Sequence, residues 1–298
     1  MMSFNSPRRM RELLAADGPI IRMGISDPLM ARIAQSAGFD SVVLSGYAQG
    51  ATAVRPEPLL DLTQLAADTT AIQGAIDIPL MIDAGACFGE PMHVWNTVRR
   101  LERTGAAGLQ MEDQVFPKRA HYHRNYEEQT ISQEEMIDKI QVAAETRRDP
   151  NFVIVGRSDS MKTVGYDEGV RRANAYAEAG ADVVMVWPNT MEEVERAPRD
   201  IKAPLAYVVT HGNRVGRPTP PVDELVSMGY KVISYATLGI LTYYLAVFES
   251  FREIREKGDT RFGKEDLIKA RKDLEALIGL DELYKIEERT VLRANAAQ

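Results

Sequence analysis

Cysteine is almost missing from this sequence. Cys87 is the only one in 298 residues, so no disulfide can form within the chain. The fold must therefore rest on its core, which a chain of this length can supply, and the lone thiol fits a reducing compartment. Basic charge is also short: 36 Lys and Arg face 43 Asp and Glu, for a formal net charge of −7. Without a basic surplus the chain lacks the counter-charge that general nucleic-acid binding needs, although one pocket can still focus positive potential. No apolar run reaches about 18 residues, so no membrane-spanning helix is expected. Arg8, Arg9 and Arg11 are not followed by the apolar stretch of a secretory signal, and the expected location is cytoplasmic. No G-x-G-x-x-G follows the first strand, which weighs against a dinucleotide-binding sheet. Histidine is scarce too, and His121 and His123 have no third His or Cys nearby to complete a zinc site.

What is present is a regular alternation. Apolar, β-rich runs occur at Ile20–Met23, Ser41–Ser45, Pro79–Asp83, Gly108–Glu112, Phe152–Arg157, Val183–Trp187, Leu205–Thr210 and Val232–Tyr235. They lack polar alternation, as parallel strands covered on both faces do. Amphipathic helical stretches lie between them, among them Asp27–Ala37, Met92–Thr104, Gln133–Arg147 and Tyr166–Ala179. Four of the helix-to-strand junctions carry glycine, at Gly38, Gly105, Gly180 and Gly229, where a left-handed residue closes a helix. Eight such units predict an α/β fold, a (β/α)₈ TIM barrel, in one domain spanning 1–298; a doubly wound open sheet is the alternative. The charged helical segment Gly263–Gln298, with Leu267, Leu274, Leu277, Leu280 and Leu283, exceeds one barrel helix and is expected to pack on a neighbouring subunit.

In such a barrel the active site lies at the C-terminal ends of the strands, so polar residues there are the candidates. Ser45, Gly46 and Tyr47 follow the second strand, Asp83 ends the third, Glu112 the fourth and Arg157 the fifth. Trp187 ends the sixth and His211 follows the seventh. Asp83 and Glu112 are hard oxygen donors suited to Mg²⁺ with several waters, or equally to hydrogen bonds with loop amides or Arg157. Arg157 suits a bidentate clamp on a substrate carboxylate, or a structural ion pair. Ser45-Gly46 offers backbone N–H groups to an anion, or makes a tight turn. The long polar loop Gln114–Ile131 has the length of a lid, and Lys118, Arg119, His121 and His123 on it could meet an anion or move protons. Cys87 reads as a small apolar filler.

The stretch Leu80–Arg119, LMIDAGACFGEPMHVWNTVRRLERTGAAGLQMEDQVFPKR, resembles the isocitrate lyase and phosphoenolpyruvate mutase superfamily. DAGACFG and GAAGLQMEDQVFPKR stand in the family's order, followed by FVIVGRSDS; AGFDSVVLSG and EAGADVV fit as well. The resemblance implies a barrel that often exchanges its eighth helix between subunits, assembled as a homo-oligomer, dimer or tetramer. It implies Mg²⁺ (or Mn²⁺) and a small carboxylic acid substrate. Asp83 matches the direct metal ligand, Glu112 and Glu57 match carboxylates on metal-bound water, Arg157 the arginine on the substrate, Ser45 and Gly46 the backbone grip, and Lys118 the gating-loop lysine. The chain departs from the pattern at Gly85, where the family has the second Asp of D-x-D, at Cys87, which replaces a Gly, and at Ala120, where lyases carry a catalytic Cys. Trp187 replaces a Glu or His.

The function this implies is a metal-dependent lyase that cleaves a C–C bond of a small 2-oxo or 2-hydroxy carboxylic acid through an enolate. Lys118, His121 and His123 would handle protons. Tyr47, Trp187 and His211 would line the substrate, and Tyr47 with Trp187 predict a rather apolar pocket. The alternatives are a P–C bond mutase or phosphonopyruvate hydrolase, and an inactive barrel acting as a binding protein, for which Gly85 and Ala120 are the main support.

Overall fold

A computed structural model describes residues 4–120 and 130–292. Eight parallel strands close into a barrel in sequence order, β1 to β8. They are β1 Ile20–Ile25, β2 Ser41–Leu44, β3 Leu80–Asp83, β4 Gly108–Glu112, β5 Val153–Arg157, β6 Val183–Met185, β7 Leu205–Val208 and β8 Val232–Tyr235. Closure comes from β1, which pairs with β2 through Arg22↔Ser41 and with β8 through Arg22↔Ser234. The open sheet is thereby excluded, and the expected (β/α)₈ barrel is the fold.

Two apolar layers explain why the strands read as unbroken hydrophobic runs. Side chains such as Val43, Met81, Val153, Val183 and Val232 fill the barrel interior. Met10, on the N-terminal helix Ser6–Ala15, joins that interior cluster, and Ser6 Oγ accepts from Leu80 N at 3.2 Å, so the helix closes the bottom of the barrel. Alternate strand residues, Leu44, Leu80, Leu109, Ile154 and Ile233, pack outward against the helices. The four junction glycines adopt positive φ as expected; Gly229, at φ 104°, caps the helix Val222–Met228.

β6 and β7 are shorter than their apolar runs suggest. The parallel ladder of β6 ends at Met185, so Trp187 belongs to the mouth of the barrel and not to a strand. The chain divides into two compact units, 1–241 and 242–298. In the second, the helices Lys264–Leu277 and Leu280–Glu287 leave Leu267, Ile268, Ile278 and Leu283 exposed. No helix among the described residues is long and apolar enough to cross a membrane.

Candidate active site

The strand ends deliver their polar residues to one cavity of about 270 Å³. Ser45, Tyr47, Glu57, Asp83, Lys118, Arg157, Trp187 and His211 all line it, so strands far apart in sequence meet there. Gly46 and Glu57 line a small adjoining hollow with Asp83 and Lys118.

Each side chain is placed by a local device. Ser45 caps the helix Gly46–Thr52, its hydroxyl accepting from Ala48 N at 3.5 Å. A Cβ on Gly46 would stand 2.9 Å from Glu57 Oε1, so glycine is what lets Glu57 approach this turn. The loop after β3 is held from behind: buried Lys139 donates to Ala86 O at 2.8 Å and Thr97 donates to Cys87 O at 3.1 Å. Burial pushes the Cys87 thiol up to about 12, in keeping with a packing role. Asp83 Oδ1 accepts from Gly85 N at 3.2 Å.

Glu112 is the centre of the arrangement. It is fully buried at the end of β4, with Lys118 Nζ 3.2 Å from one carboxylate oxygen and Arg157 Nη1 2.9 Å from the other. Neither oxygen has a hydrogen-bond partner of good geometry among the described residues. Burial raises its pKa, and Arg157 and Lys118 oppose that rise. Lys118 also reaches Glu57 Oε1, at 2.7 Å, so one ammonium bridges Glu57 and Glu112. Arg157 meets Asp159 through Nε and Nη2 at 2.8 and 2.7 Å. Burial pushes Asp159 up, but Arg157 and Lys162 overcome this and hold it below the ordinary carboxylate range.

The structural ion pair considered for Arg157 is therefore present, and its guanidinium faces the cavity as well. His211 stacks on Tyr235 with ring centroids 5.9 Å apart. His121 and His123 lie outside the described residues.

Trp187 lines the cavity as expected, and three cations pack on its ring: Arg157 at 4.7 Å, Lys162 at 4.3 Å and Arg217 at 4.4 Å from the centroid. Lys162 and Arg217 were not among the sequence candidates. Lys162 sits just past the end of β5, in the short helix Ser160–Thr163, and that position was the available signal. Arg217 lies far along the loop after β7, which ends at Val208. A further unanticipated cation is Arg22, fully buried inside the barrel, where it donates to Ser234 Oγ and lies 3.4 Å from Gln110 Oε1. Burial lowers it to about 10, which leaves it charged near Asp83.

Residues 10–255 match the profile of the phosphoenolpyruvate phosphomutase family. The chain belongs to this family. Within the wider phosphoenolpyruvate mutase and isocitrate lyase superfamily it is similar to 2,3-dimethylmalate lyase of Eubacterium barkeri, 33% identical over 286 residues, covering 95% of this chain and 97% of that protein. The fold is also that of oxaloacetate acetylhydrolase in complex with 3,3-difluorooxalacetate, with TM-score 0.87, 25% identity and coverage of 96% and 97%. A phosphonopyruvate hydrolase solved with oxalate and Mg²⁺ superposes with TM-score 0.81, 26% identity and coverage of 96% and 99%. The expected superfamily and the expected enzyme class, a carbon–carbon lyase, both stand.

The donor set of this family member fits a divalent cation. Asp83 lines the cavity with a carboxylate, and Glu112, buried behind Lys118 and Arg157, adds two oxygens without hydrogen bonds among the described residues. Among the described residues no three His, Cys, Asp or Glu side chains gather into a complete metal cage. Such a set suits an ion that keeps waters and takes substrate oxygens as its remaining ligands.

Proposed function

We propose that this protein is a Mg²⁺- or Mn²⁺-dependent lyase that cleaves the C–C bond beside the oxygen-bearing carbon of a small 2-oxo or 2-hydroxy carboxylic acid. Glu112 carries this reading: a fully buried carboxylate without hydrogen bonds among the described residues, set between two cations that line the mouth. Burying such a group is costly unless a ligand completes its surroundings. The cation would be held by Asp83 directly and by Glu112 and Glu57 through water. When bound, it supplies Lewis-acid stabilisation of charge on the substrate's oxygen.

The chain's own residues do the rest. Arg157 and the amides at Ser45-Gly46 orient the substrate's 1-carboxylate, and Tyr47, Trp187 and His211 flank it. In a 2-hydroxy acid the hydroxyl gives up its proton as its carbon becomes a carbonyl, and the broken bond's electron pair leaves with the other fragment as an enolate, which then gains a proton at carbon. Lys118 is placed to hold that proton, because its ammonium already lies in the cavity between Glu57 and Glu112. His121 and His123, on the same loop, are proposed to share this role. The exposed leucines and isoleucines of the C-terminal helices support a homo-oligomer, dimer or tetramer, in which those helices pack on a neighbouring subunit.

Proton NMR of the purified protein with oxaloacetate, 2-methylisocitrate, 2,3-dimethylmalate and phosphonopyruvate, each with Mg²⁺ and with chelator, tests the reading. Chelator-sensitive release of a 2-oxo acid, glyoxylate or oxalate from one of the carbon acids is expected. Turnover of phosphonopyruvate alone would move the chain to P–C chemistry. Turnover that survives chelation would overturn the metal reading.

A further inference from the structure

A polar cluster interrupts the apolar interior of the barrel. Buried Arg22, on β1, donates to Ser234 Oγ on β8, and its Nη2 lies 3.4 Å from Gln110 Oε1 on β4. Both acceptors are neutral, and among the described residues Arg22 makes no ion pair. Gln110 is the register partner of Asp83 across β3 and β4, so it carries the cluster to the level of the carboxylate that ends β3.

Three carboxylates at this end of the barrel meet a cation directly: Glu57 meets Lys118 at 2.7 Å, and Glu112 and Asp159 meet Arg157 at 2.9 and 2.7 Å. Asp83 differs. Among the described residues it makes no ion pair, and its one hydrogen bond comes from Gly85 N. Burial lowers the pKa of Arg22 to about 10 against the opposing pull of Asp83, so the guanidinium stays charged at neutral pH and the two groups act on each other across a gap.

A charge buried in a protein acts over a longer range than an exposed one, because little water or salt screens it. The field that draws Arg22 and Asp83 together repels any cation bound to Asp83 and favours any anion beside it. A contact ion pair would cover the oxygens of Asp83. Arg22 does not line the cavity, so it offsets their charge and leaves them uncovered.

We propose that Arg22 is the remote counter-charge of Asp83, a positioning residue that weakens the hold of the mouth on a divalent cation and strengthens its hold on an anionic ligand. The proposal rests on the cation assigned above to Asp83.

Two calorimetric titrations of the full chain test it: Mn²⁺ into the substrate-free protein, and oxalate into the Mn²⁺-loaded protein, each against a protein-free blank. Arg22→Met should bind Mn²⁺ about fivefold tighter and oxalate about threefold weaker, opposite shifts set by the sign of the lost charge. Arg22→Lys, which keeps that charge, should stay within about twofold of the wild type for both. A second neutral variant, Arg22→Met with Gln110→Leu, removes the orphaned acceptor as well and should show the same opposite shifts. Circular dichroism and thermal melts establish folding. An unchanged Mn²⁺ affinity, or weakening of both ligands together, in a folded neutral variant would overturn the proposal. Loss of the fold in both neutral variants would assign Arg22 to stability and overturn it too. A folded wild type that binds no Mn²⁺ would overturn the metal reading of Asp83, and this proposal with it.

Discussion

Glu112 and Asp113 are neighbours in the chain, carry the same charge and are both buried, yet they belong to two different regions. Glu112 lies behind the mouth of the barrel, where among the described residues its oxygens meet the cations of Lys118 and Arg157 and accept no hydrogen bond. Asp113 faces the shell outside the barrel, where four donors reach its two oxygens. It accepts from Ser158 Oγ at 2.7 Å, Tyr176 Oη at 2.8 Å, Asp159 N at 2.9 Å and Arg172 Nη1 at 3.1 Å. Alternation along a strand sends the two side chains to opposite faces. The lesson is that satisfaction, more than burial or residue type, separates the two roles. The shell spends its carboxylates on internal bonds and fixes the ends of β4 and β5. The mouth joins Glu57 and Glu112 to the cations that line the cavity.

The largest effect that sharpens this contrast is expected in the mouth. Asp83→Ala should lower turnover by roughly a thousandfold or more, because it removes the proposed direct ligand of the cation. Its melting temperature should stay near that of the wild type, since among the described residues Asp83 makes one hydrogen bond, to its own loop. Kinetics and calorimetry on the same preparation read both quantities, and substantial turnover by the folded variant would break the assignment of the mouth. The adjacent pair gives the next effect. Asp113→Asn should cost about 3 kcal/mol of stability in denaturant titrations, as it strips the charge from a buried, fully bonded partner of Arg172. Glu112→Gln should instead fall mainly in turnover. If both variants lost stability and activity alike, the division between mouth and shell would fail.

Much of this plan is legible in the residues themselves, because the signals are local. An apolar run ending in Asp83, Glu112 or Arg157 places that residue at a strand terminus, and barrel closure then brings the termini together. The glycines at Gly38, Gly105, Gly180 and Gly229 mark helix ends through their φ alone. What escaped depends on where loops travel. Arg217 reaches Trp187 only because the loop after β7 folds back over the mouth, which no spacing encodes. Arg22 stands in an apolar strand with nothing to mark it as an interior residue, since its partners Ser234 and Gln110 lie on other strands. The gathering of cations on Trp187 escaped for the same reason: they come from three separate segments.

The smallest expected effect lies at the rim of the shell. Glu168, in the first turn of the helix Tyr166–Glu178, accepts from Arg171 and from Arg172 at 2.8 Å, and so steadies the arginine that reaches Asp113. The hydrogen bond from Arg171, joined by that from Arg172 against an opposing push from burial, lowers its pKa to about 2. A carboxylate depressed on folding contributes stability above its unfolded pKa and loses it as pH falls through the folded one. Glu168→Gln should therefore cost at most about 1 kcal/mol near neutral pH, since solvent screens the pair. The gap between variant and wild type should shrink as pH falls from about 4.5 toward 2, as urea titrations along the pH series would show. A gap that stayed constant across that range would mean the arginines are held by packing and not by this charge. Turnover at neutral pH should hardly change, because Glu168 reaches the mouth only through Arg172 and Asp113.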